Sequence, residues 1–256
     1  VITANSVNKG LEILEENETQ VFDSVKWAAN KSNDINTPVA LIAKRGVFSS
    51  SKKNNEYNKN EFSRENAIEE VIDNVPKNSF FVATTGRATR EIYDLREIKG
   101  QTHEKDFLNV GAMGHASSIA LGIAIAHEDD LVVCLDGDGS AIMHLGALTT
   151  TGKLKQSNLL HIVLNNGLHA SVRGKKNAEH KINFTAIAEN SGYKTIGKPV
   201  KNKEELKKAL NNLLQKNGPY FIDVRVEKGI RDDLLPNLSN VSLINSKEKL
   251  MRKLSK

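Results

Sequence analysis

The chain has 256 residues, 39% hydrophobic and 26% charged, a composition typical of a globular protein with one large domain or two smaller ones. Its net charge of +5 does not predict nucleic-acid binding, because the lysines are interspersed with acids, as in residues 201–208, and aromatic residues make up only 5%. The short apolar runs predict no membrane span, no secretory signal is recognised, and the single cysteine favours a cytoplasmic protein.

The first predicted elements are two helices and a strand. Apolar residues at helical spacing predict helices over residues 6–16 and 19–31. Pro38 then precedes a predicted strand over residues 39–43. Helices with one buried strand cannot enclose a core, so we expect this segment to belong to a fold that is completed elsewhere.

The composition changes after this segment and divides the chain into predicted domains. Residues 49–61 are polar without periodicity, which predicts a linker. We therefore expect residues 1–48 to be the C-terminal remnant of one domain and residues 62–256 to form a second domain.

Strands alternate with helices over the second predicted domain. Ser63 is expected to cap a helix that continues to about Asn74, with Asn66 in the position usually held by an acid. The further elements are predicted strands at 80–84, 131–135, 160–164 and 220–226 and helices at 114–126, 141–152, 184–191 and 203–215, with a basic helix end at 247–256. This alternation predicts an α/β fold with a doubly wound parallel sheet.

Two short polar motifs follow neighbouring strands of this predicted sheet. A Gly-Asp-Gly-Ser motif at 137–140 comes after strand 131–135, and an Asn-Asn pair at 165–166 comes after strand 160–164. Either motif alone is a common turn, but at the carboxyl ends of parallel strands the carboxylate and the carboxamide can meet on one Mg²⁺ ion. The glycines let a diphosphate approach the backbone. Together the motifs predict a site for thiamine diphosphate bound through Mg²⁺.

Four segments resemble the thiamine diphosphate-dependent 2-oxo acid decarboxylases, most closely the phosphonopyruvate decarboxylases. They are Ala-Thr-Thr-Gly at 83–86 with Thr-Arg-Glu at 89–91, Val-Gly-Ala-Met-Gly-His-Ala at 110–116, Leu-Asp-Gly-Asp-Gly at 135–139 with Met-His-Leu-Gly-Ala-Leu at 143–148, and Leu-Asn-Asn-Gly at 164–167 with His169. The resemblance extends from about residue 38 to about residue 226, and the sulfopyruvate decarboxylases share much of it.

The resemblance implies the thiamine diphosphate-binding fold and the Mg²⁺-dependent, non-oxidative decarboxylation of a small anionic 2-oxo acid. The first expectation is 3-phosphonopyruvate, which would give phosphonoacetaldehyde and CO₂ in phosphonate biosynthesis. The alternatives are a subunit of a sulfopyruvate decarboxylase and a non-catalytic partner or remnant.

The resemblance also implies the residues of the cofactor site. Mg²⁺ would be held by Asp138, Asn166 and the backbone carbonyl of Leu168. The diphosphate would be bordered by Thr85, Gly86, Gly137, Gly139 and Ser140. The carbonyl of Gly111 would accept a hydrogen bond from the aminopyrimidine, and Met113 would support the bent shape of the cofactor.

The histidines and the cysteine are expected to have different roles. His115 and His169 lie in loops after predicted strands and are the candidate catalytic proton carriers. His161 lies inside a predicted strand and is expected in the core, and His144 is expected to be structural. No set of histidines and cysteines has the spacing of a zinc site, and Cys134 is expected to be a small buried apolar residue.

The loop after the Asn-Asn pair departs from the family pattern. The family has Asp, Gly and Gln where this chain has Ala170, Arg173 and Lys175. Ser171, Arg173 and Lys175 are the candidate substrate-loop residues, because a guanidinium group suits a phosphonate or a sulfonate. The alternative is an exposed basic loop that does not touch the substrate.

In this family a glutamate from a pyrimidine-binding domain activates the cofactor, and no acid of this chain can be given that role. We therefore expect residues 1–48 to be the end of such a domain. The complete site is expected to need a pyrimidine-binding domain or subunit, in a homo- or hetero-oligomer. No nucleic-acid or membrane partner is expected.

Overall fold

The structure is a computed structural model, and it describes residues 11–14, 18–43, 62–169, 175–176, 182–215, 217–227, 234 and 242–255. The chain divides into two compact units, Val1–Asn54 and Asn55–Lys256. The predicted linker at 49–61 lies outside the described residues.

In the first unit a helix connects two paired strands. Strand β1 (Leu11–Leu14) pairs in parallel with strand β2 (Ala40–Ala43), and helix α1 (Glu18–Ile35) lies between them in the chain. The structure thus confirms the predicted helix over 19–31 as α1 and the predicted strand over 39–43 as β2. The predicted helix over 6–16 is wrong at residues 11–14, which form β1. Leu11 and Leu14 fit helical spacing, but four residues fit a strand equally well, and pairing with β2 satisfies their backbone hydrogen bonds.

The second unit alternates strands with helices. Its strands are β3 (Phe80–Ala83), β4 (Asp106–Leu108), β5 (Val132–Gly137), β6 (Leu159–Asn165), β7 (Leu168–His169), β8 (Lys175–Lys176) and β9 (Tyr220–Arg225). Its helices are α2 (Arg64–Asn74), α3 (Arg87–Ile98), α4 (Ala116–Ala126), α5 (Asp138–Met143), α6 (Ala147–Leu154), α7 (Phe184–Asn190), α8 (Lys203–Leu213) and α9 (Leu243–Leu254). None of the helices in the described part of the chain combines the length and the apolar character that a bilayer crossing requires.

Among the described residues, five strands form one parallel sheet in the order β4-β3-β5-β6-β9. Val133 and Leu135 share a buried core with residues of α2, α3 and α8. Val132 and Cys134, whose side chains point to the other face, share a second core with residues of α4 and α9. Helices therefore cover both faces of the sheet, which confirms the predicted α/β fold with a doubly wound parallel sheet.

The sequence pattern does not predict α3 and β4. Helix α3 buries Ala88, Ile92 and Leu95 along one face, but the charged residues between them hide this helical spacing. Strand β4 has only three residues, too few to show an alternation of apolar and polar side chains.

The predicted helix over 141–152 is two helices, α5 and α6. Their separation begins at His144, whose backbone leaves the helical region with φ of −131°. The His144 ring nitrogen Nδ1 lies 3.2 Å from the carbonyl oxygen of Gly114, so a contact distant in sequence accompanies the break.

Two predicted helix ends are confirmed. The Ser63 hydroxyl accepts the N–H of Asn66 at 3.1 Å, and the Asn66 side chain accepts the N–H of Ser63 at 3.2 Å, which is a reciprocal cap of α2. The basic tail is helical as well, since α9 ends at Leu254 with Arg252 and Lys253 in its last turn.

Helix α3 is connected to β4 by a buried ion pair and a histidine. Nη2 and Nε of Arg96 donate to the two carboxylate oxygens of Asp106 at 3.0 and 3.2 Å. His103 lies 2.7 Å from a Glu97 oxygen and 3.5 Å from an Asp106 oxygen, and its ring stacks on Tyr93 at 4.3 Å between centroids. Burial lowers the pKa of His103, but the two carboxylates raise this pKa by more, so it lies above its ordinary value.

We predict that His103→Gln removes a pH-dependent part of the stability. Because the folded pKa of His103 is raised, its contribution is complete below the unfolded pKa of about 6.5 and is lost as the pH rises through the folded pKa. Urea titrations between about pH 6 and 8.5 should show a fall in the unfolding free energy, of about 1 kcal/mol or less, that is absent in the variant. Equal pH slopes in the two proteins would contradict this assignment.

Candidate cofactor site

Asp138 joins the carboxyl ends of β5 and β6. It is the first residue of α5 and follows β5 directly. Its Oδ1 accepts the N–H of Gly139 at 2.7 Å, and its Oδ2 accepts the N–H of Gly167, which follows β6, at 2.9 Å. The residue is buried, and a carboxylate is a ligand that hard cations take.

The two asparagines at the end of β6 have different surroundings. Asn165, the last residue of β6, is buried, and its Nδ2 donates to Oδ1 of Asp223 on β9 at 3.2 Å. Asn166 lines the same pocket as Asp138. Of the two asparagines, Asn166 is therefore the candidate cation ligand beside Asp138.

Ser140 connects α5 with β3 and with the loop before α4. Its hydroxyl oxygen accepts the N–H of Gly114 at 2.9 Å and lies 2.7 Å from the hydroxyl oxygen of Thr84, where either group can be the donor. Thr84 and Ser140 are both buried. The Ser140 side chain thus joins α5 to two segments that precede it in the chain by 56 and 26 residues.

Asn109, which the sequence reasoning did not identify, shapes the loop that carries Gly111 and Met113. Its Oδ1 accepts the N–H groups of Gly111 and Ala112 at 3.3 and 3.1 Å, and its Nδ2 donates to the carbonyl of Ala112 at 2.8 Å. The hydroxyl of Thr89 donates to the Asn109 carbonyl at 3.2 Å. An Asn after a short strand is the signal that could have indicated such a turn.

These strand ends surround a pocket of about 100 Å³. The predicted cofactor residues that line it are Thr85, Gly86, Met113, Gly137, Asp138, Gly139, Ser140 and Asn166. Its further lining residues are Arg64, Thr84, Arg87, Ala88, Asp136 and Leu164. Complete ligand pockets measure roughly 300–1,000 Å³, so the cavity among the described residues is smaller than these.

The pocket suits an anion at its α3 side. Gly86 has φ of +108°, a conformation that side chains rarely adopt, and a Cβ there would meet no atom within 4 Å, so the backbone is open to the pocket. Helix α3 follows at once, and its first residues Arg87 and Ala88 line the pocket. The N–H groups of a helix start favour an anion in this position.

Two arginines of the pocket were not identified from the sequence. Arg64, at the start of α2, makes a buried double hydrogen bond with the carboxylate of Glu91 on α3. Burial lowers the pKa of Arg64, but Glu91 and then Asp138 raise this pKa above its ordinary value. Burial and the neighbouring Arg64 lower the pKa of Arg87 to about 10, so both groups are cationic at neutral pH. No local motif marks Arg64, because its partner lies in another helix.

Some predicted site residues are described only by their backbone or lie outside the described residues. Leu168 and His169 form β7, which pairs with Lys176 and Lys175 of β8. Ser171 and Arg173 lie outside the described residues. The roles of these residues stay predictions.

The remaining candidates lie at the surface or in the core. Gly111 is exposed and does not line the pocket. His115 is also exposed, and its ring meets that of His144 edge-on at 4.2 Å between centroids. His161 and Cys134 are buried, as predicted.

Comparison with protein families identifies one domain. Residues 84–224, more than half of the chain, match the family described as thiamine pyrophosphate enzyme, C-terminal TPP binding domain. The match begins at Thr84 and ends within β9, so it contains most of the pocket.

The chain spans different shares of the length of two curated relatives. The chain is 34% identical to a phosphonopyruvate decarboxylase of Streptomyces viridochromogenes over 66% of this chain, but it spans only 41% of that relative. It is 33% identical to the sulfopyruvate decarboxylase subunit beta of Methanothermobacter thermautotrophicus over 64% of this chain, and it spans 82% of that subunit.

Solved structures share the fold. A thiamine diphosphate-dependent 4-hydroxybenzoylformate decarboxylase of Rhodococcus jostii superposes with a TM-score of 0.57 at 18% identity, covering 86% of this chain and 44% of that chain. A benzoylformate decarboxylase of Polynucleobacter necessarius gives a TM-score of 0.56, also at 18% identity, with 86% and 45% covered. At this identity the likeness concerns the fold alone.

We predict that Gly114→Ala destabilises the strand-end loop. Gly114 has φ of +87°, and a Cβ there would lie 2.9 Å from Cβ of Met143 and 3.2 Å from Nδ1 of His144. The strain and the overlap should lower the unfolding free energy by about 1–3 kcal/mol in urea titrations.

Gly122→Ala is the matched control for this substitution. Gly122 is exposed within α4, and a Cβ there would meet no atom within 4 Å. The control should be neutral or stabilising by up to about 1 kcal/mol, because alanine is the better helix former. Unchanged stability of Gly114→Ala would show that the loop is not held as described.

Proposed function

The chain belongs to the thiamine pyrophosphate enzyme family, and from that premise we propose that its second unit binds thiamine diphosphate through Mg²⁺ for the decarboxylation of an anionic 2-oxo acid. The observation that carries the proposal is the pocket at the strand ends, which gathers Asp138 and Asn166 with the open backbone at Gly86 and two arginines. Oxygen donors beside positive side chains suit a cation-bound diphosphate.

The proposed Mg²⁺ ligands are Asp138, Asn166 and the backbone carbonyl of Leu168. Both oxygens of Asp138 are oriented by backbone N–H groups, so this carboxylate is held in place before a cation arrives. The N–H of Gly167 that binds Asp138 belongs to the residue between the other two ligands. The same hydrogen bond therefore brings the turn at 166–168 towards the Asp138 carboxylate.

The remaining pocket residues are proposed to bind and orient the cofactor. Gly139, Ser140, Thr85 and Gly86 would border the diphosphate, with positive charge from Arg64 and Arg87. The Gly111 carbonyl and Met113 would contact the rest of the cofactor, and Asn109 holds their loop in shape. When bound, thiamine diphosphate supplies the electron sink that a decarboxylation requires.

The substrate is proposed to be a small 2-oxo acid with a distal phosphonate or sulfonate. The names of the relatives support 3-phosphonopyruvate, with phosphonoacetaldehyde and CO₂ as products, and sulfopyruvate. The second candidate is favoured by the larger share of the beta subunit that this chain spans. Ser171, Arg173 and Lys175 are the proposed substrate-loop residues, and His115 and His169 the proposed proton carriers.

The complete site is proposed to include a pyrimidine-binding domain or a partner subunit, which would supply the glutamate that activates the cofactor. Two observations support this proposal: the small size of the pocket, and the name "subunit beta" of two relatives of which the chain spans 74% and 82%. Residues 1–48 are the proposed end of such a domain.

The cytoplasm is the proposed location, because the single cysteine is buried and free. A non-catalytic partner is the alternative that Ala170 and Arg173 motivate.

We predict that Asp138→Ala abolishes Mg²⁺-dependent binding of thiamine diphosphate. Removal of a carboxylate ligand should weaken binding by more than about 100-fold in isothermal titration calorimetry. Asp129→Ala is the matched control, because Asp129 is an exposed acid of the α4–β5 loop and should leave binding unchanged. Binding that is equally strong with EDTA, or equally strong in Asp138→Ala, would refute the proposed metal site.

We predict that the chain, together with its pyrimidine-binding domain or partner subunit, releases aldehyde and CO₂ from 3-phosphonopyruvate or from sulfopyruvate. Both substrates should be assayed side by side, since the preferred one decides between the two candidates. Turnover should be lost in Asp138→Ala and kept in Asp129→Ala. If neither substrate reacts while the cofactor still binds, the chain has the non-catalytic role instead.

A further inference from the structure

A second group of metal-ligating side chains lies inside the sheet. Cys134 and His161 are register partners on β5 and β6, and Asp136 follows Cys134 by two residues, so its side chain points to the same face of the sheet. One sulfur, one carboxylate oxygen and one imidazole nitrogen lie within 4.8 Å of one another, and all three residues are buried. Strand pairing creates this group, which explains why the sequence shows no zinc-like spacing.

Three polar atoms of this group lack hydrogen-bond partners: Oδ2 of Asp136 and both ring nitrogens of His161. Oδ1 of Asp136 accepts the N–H of Gly137 at 2.9 Å, but Oδ2 accepts no hydrogen bond. Neither ring nitrogen of His161 makes a hydrogen bond, and its Nε2 approaches Oδ2 of Asp136 only to 3.4 Å. Asp136 and His161 are at least 99% buried, and unpaired groups at such depth are rare without a bound ion or water.

We propose that Cys134, Asp136 and His161 bind a divalent transition-metal ion, with Zn²⁺ as the first candidate. Sulfur, nitrogen and oxygen are the ligand atoms that Zn²⁺ takes in proteins. A thiolate and a carboxylate neutralise its two charges, and a neutral imidazole adds none, so the buried group has no net charge.

Metal binding displaces a proton from Cys134. Burial, and then the nearby Asp136, raises the pKa of the Cys134 thiol well above its ordinary value, so the sulfur is protonated without a cation. When the sulfur–metal bond forms, the S–H bond breaks and the proton leaves to solvent.

The surroundings of the group include a buried tyrosine and the pocket at the strand ends. Tyr193 is buried beside the group, with its ring centroid 6.2 Å from that of His161. A water molecule is the fourth ligand that an open zinc site takes. Asp136 also lines the pocket at the strand ends, so the pocket reaches one side of the group. The site differs from the proposed Mg²⁺ site in its sulfur and nitrogen donors, which Mg²⁺ does not select.

The test is the Zn²⁺ content of the whole 256-residue chain after incubation with Zn²⁺ and gel filtration in excess Mg²⁺. We expect about one Zn²⁺ per chain in the wild type and in Asp138→Asn, and a loss of at least about tenfold in Cys134→Ala and His161→Gln. Retention of Zn²⁺ in Asp138→Asn would show that this site is separate from the proposed cofactor site. If the chain binds no thiamine diphosphate, the expected Zn²⁺ contents stay the same. No bound Zn²⁺ in the wild type, or equal Zn²⁺ in Cys134→Ala, would overturn the proposal.

A second measurement needs no variant. Co²⁺ in place of Zn²⁺ should give the wild-type chain an absorption band from thiolate-to-metal charge transfer, and added Zn²⁺ should remove this band. The result applies even where a core substitution prevents folding. A wild-type chain that binds Co²⁺ without the band, or does not bind it, would contradict coordination by Cys134.

Discussion

The Asp138 carboxylate sets the geometry on which the rest of the site depends. It accepts one N–H from Gly139, its neighbour in the chain, and one from Gly167, which follows the adjacent strand. The same two bonds therefore fix the carboxylate and hold the ends of β5 and β6 together. Hydrogen bonds to a charged group are about twice as strong as neutral ones, and a buried charge that loses a donor is costly. Displacement of the end of β5 or β6 would break a hydrogen bond to the Asp138 carboxylate, the proposed metal ligand, and is therefore unfavourable.

Short polar side chains extend this constraint to the other strand ends. The Ser140 hydroxyl connects α5 to Thr84 after β3 and to Gly114 before α4, and Asn109 holds the loop after β4. These segments are far apart in the chain and meet only because parallel strands end at the same edge of a sheet. Since serine, threonine and asparagine have few rotatable bonds, ordering them costs little entropy. Short polar side chains therefore hold the strand ends together at a low cost in side-chain entropy.

Local patterns predict the parts of this fold that depend on neighbouring residues. The Ser63 cap and the amphipathic helix α8 have signatures within a few positions, and the topology of a parallel sheet was enough to place Asp138 near Asn166. Contacts between distant segments have no such signature. The pair of Arg64 with Glu91 spans 27 positions, and the group around Cys134 depends on strand register. In β1, where helical and strand spacing fit equally, pairing with another strand decides.

Asp136 and Asp138 lie two residues apart at the end of β5, but their side chains have different surroundings. Gly137, between them, donates its N–H to Oδ1 of Asp136 at 2.9 Å, and Gly139 donates to Oδ1 of Asp138 at 2.7 Å. The change from strand to helix is therefore held by an acid on each side of Gly137. The other oxygen of Asp136 lies 3.4 Å from Nε2 of His161 in the core, whereas Asp138 lines the pocket. Asp136 and Asp138 both line the pocket, so this short stretch of backbone connects the core of the sheet with the cofactor site.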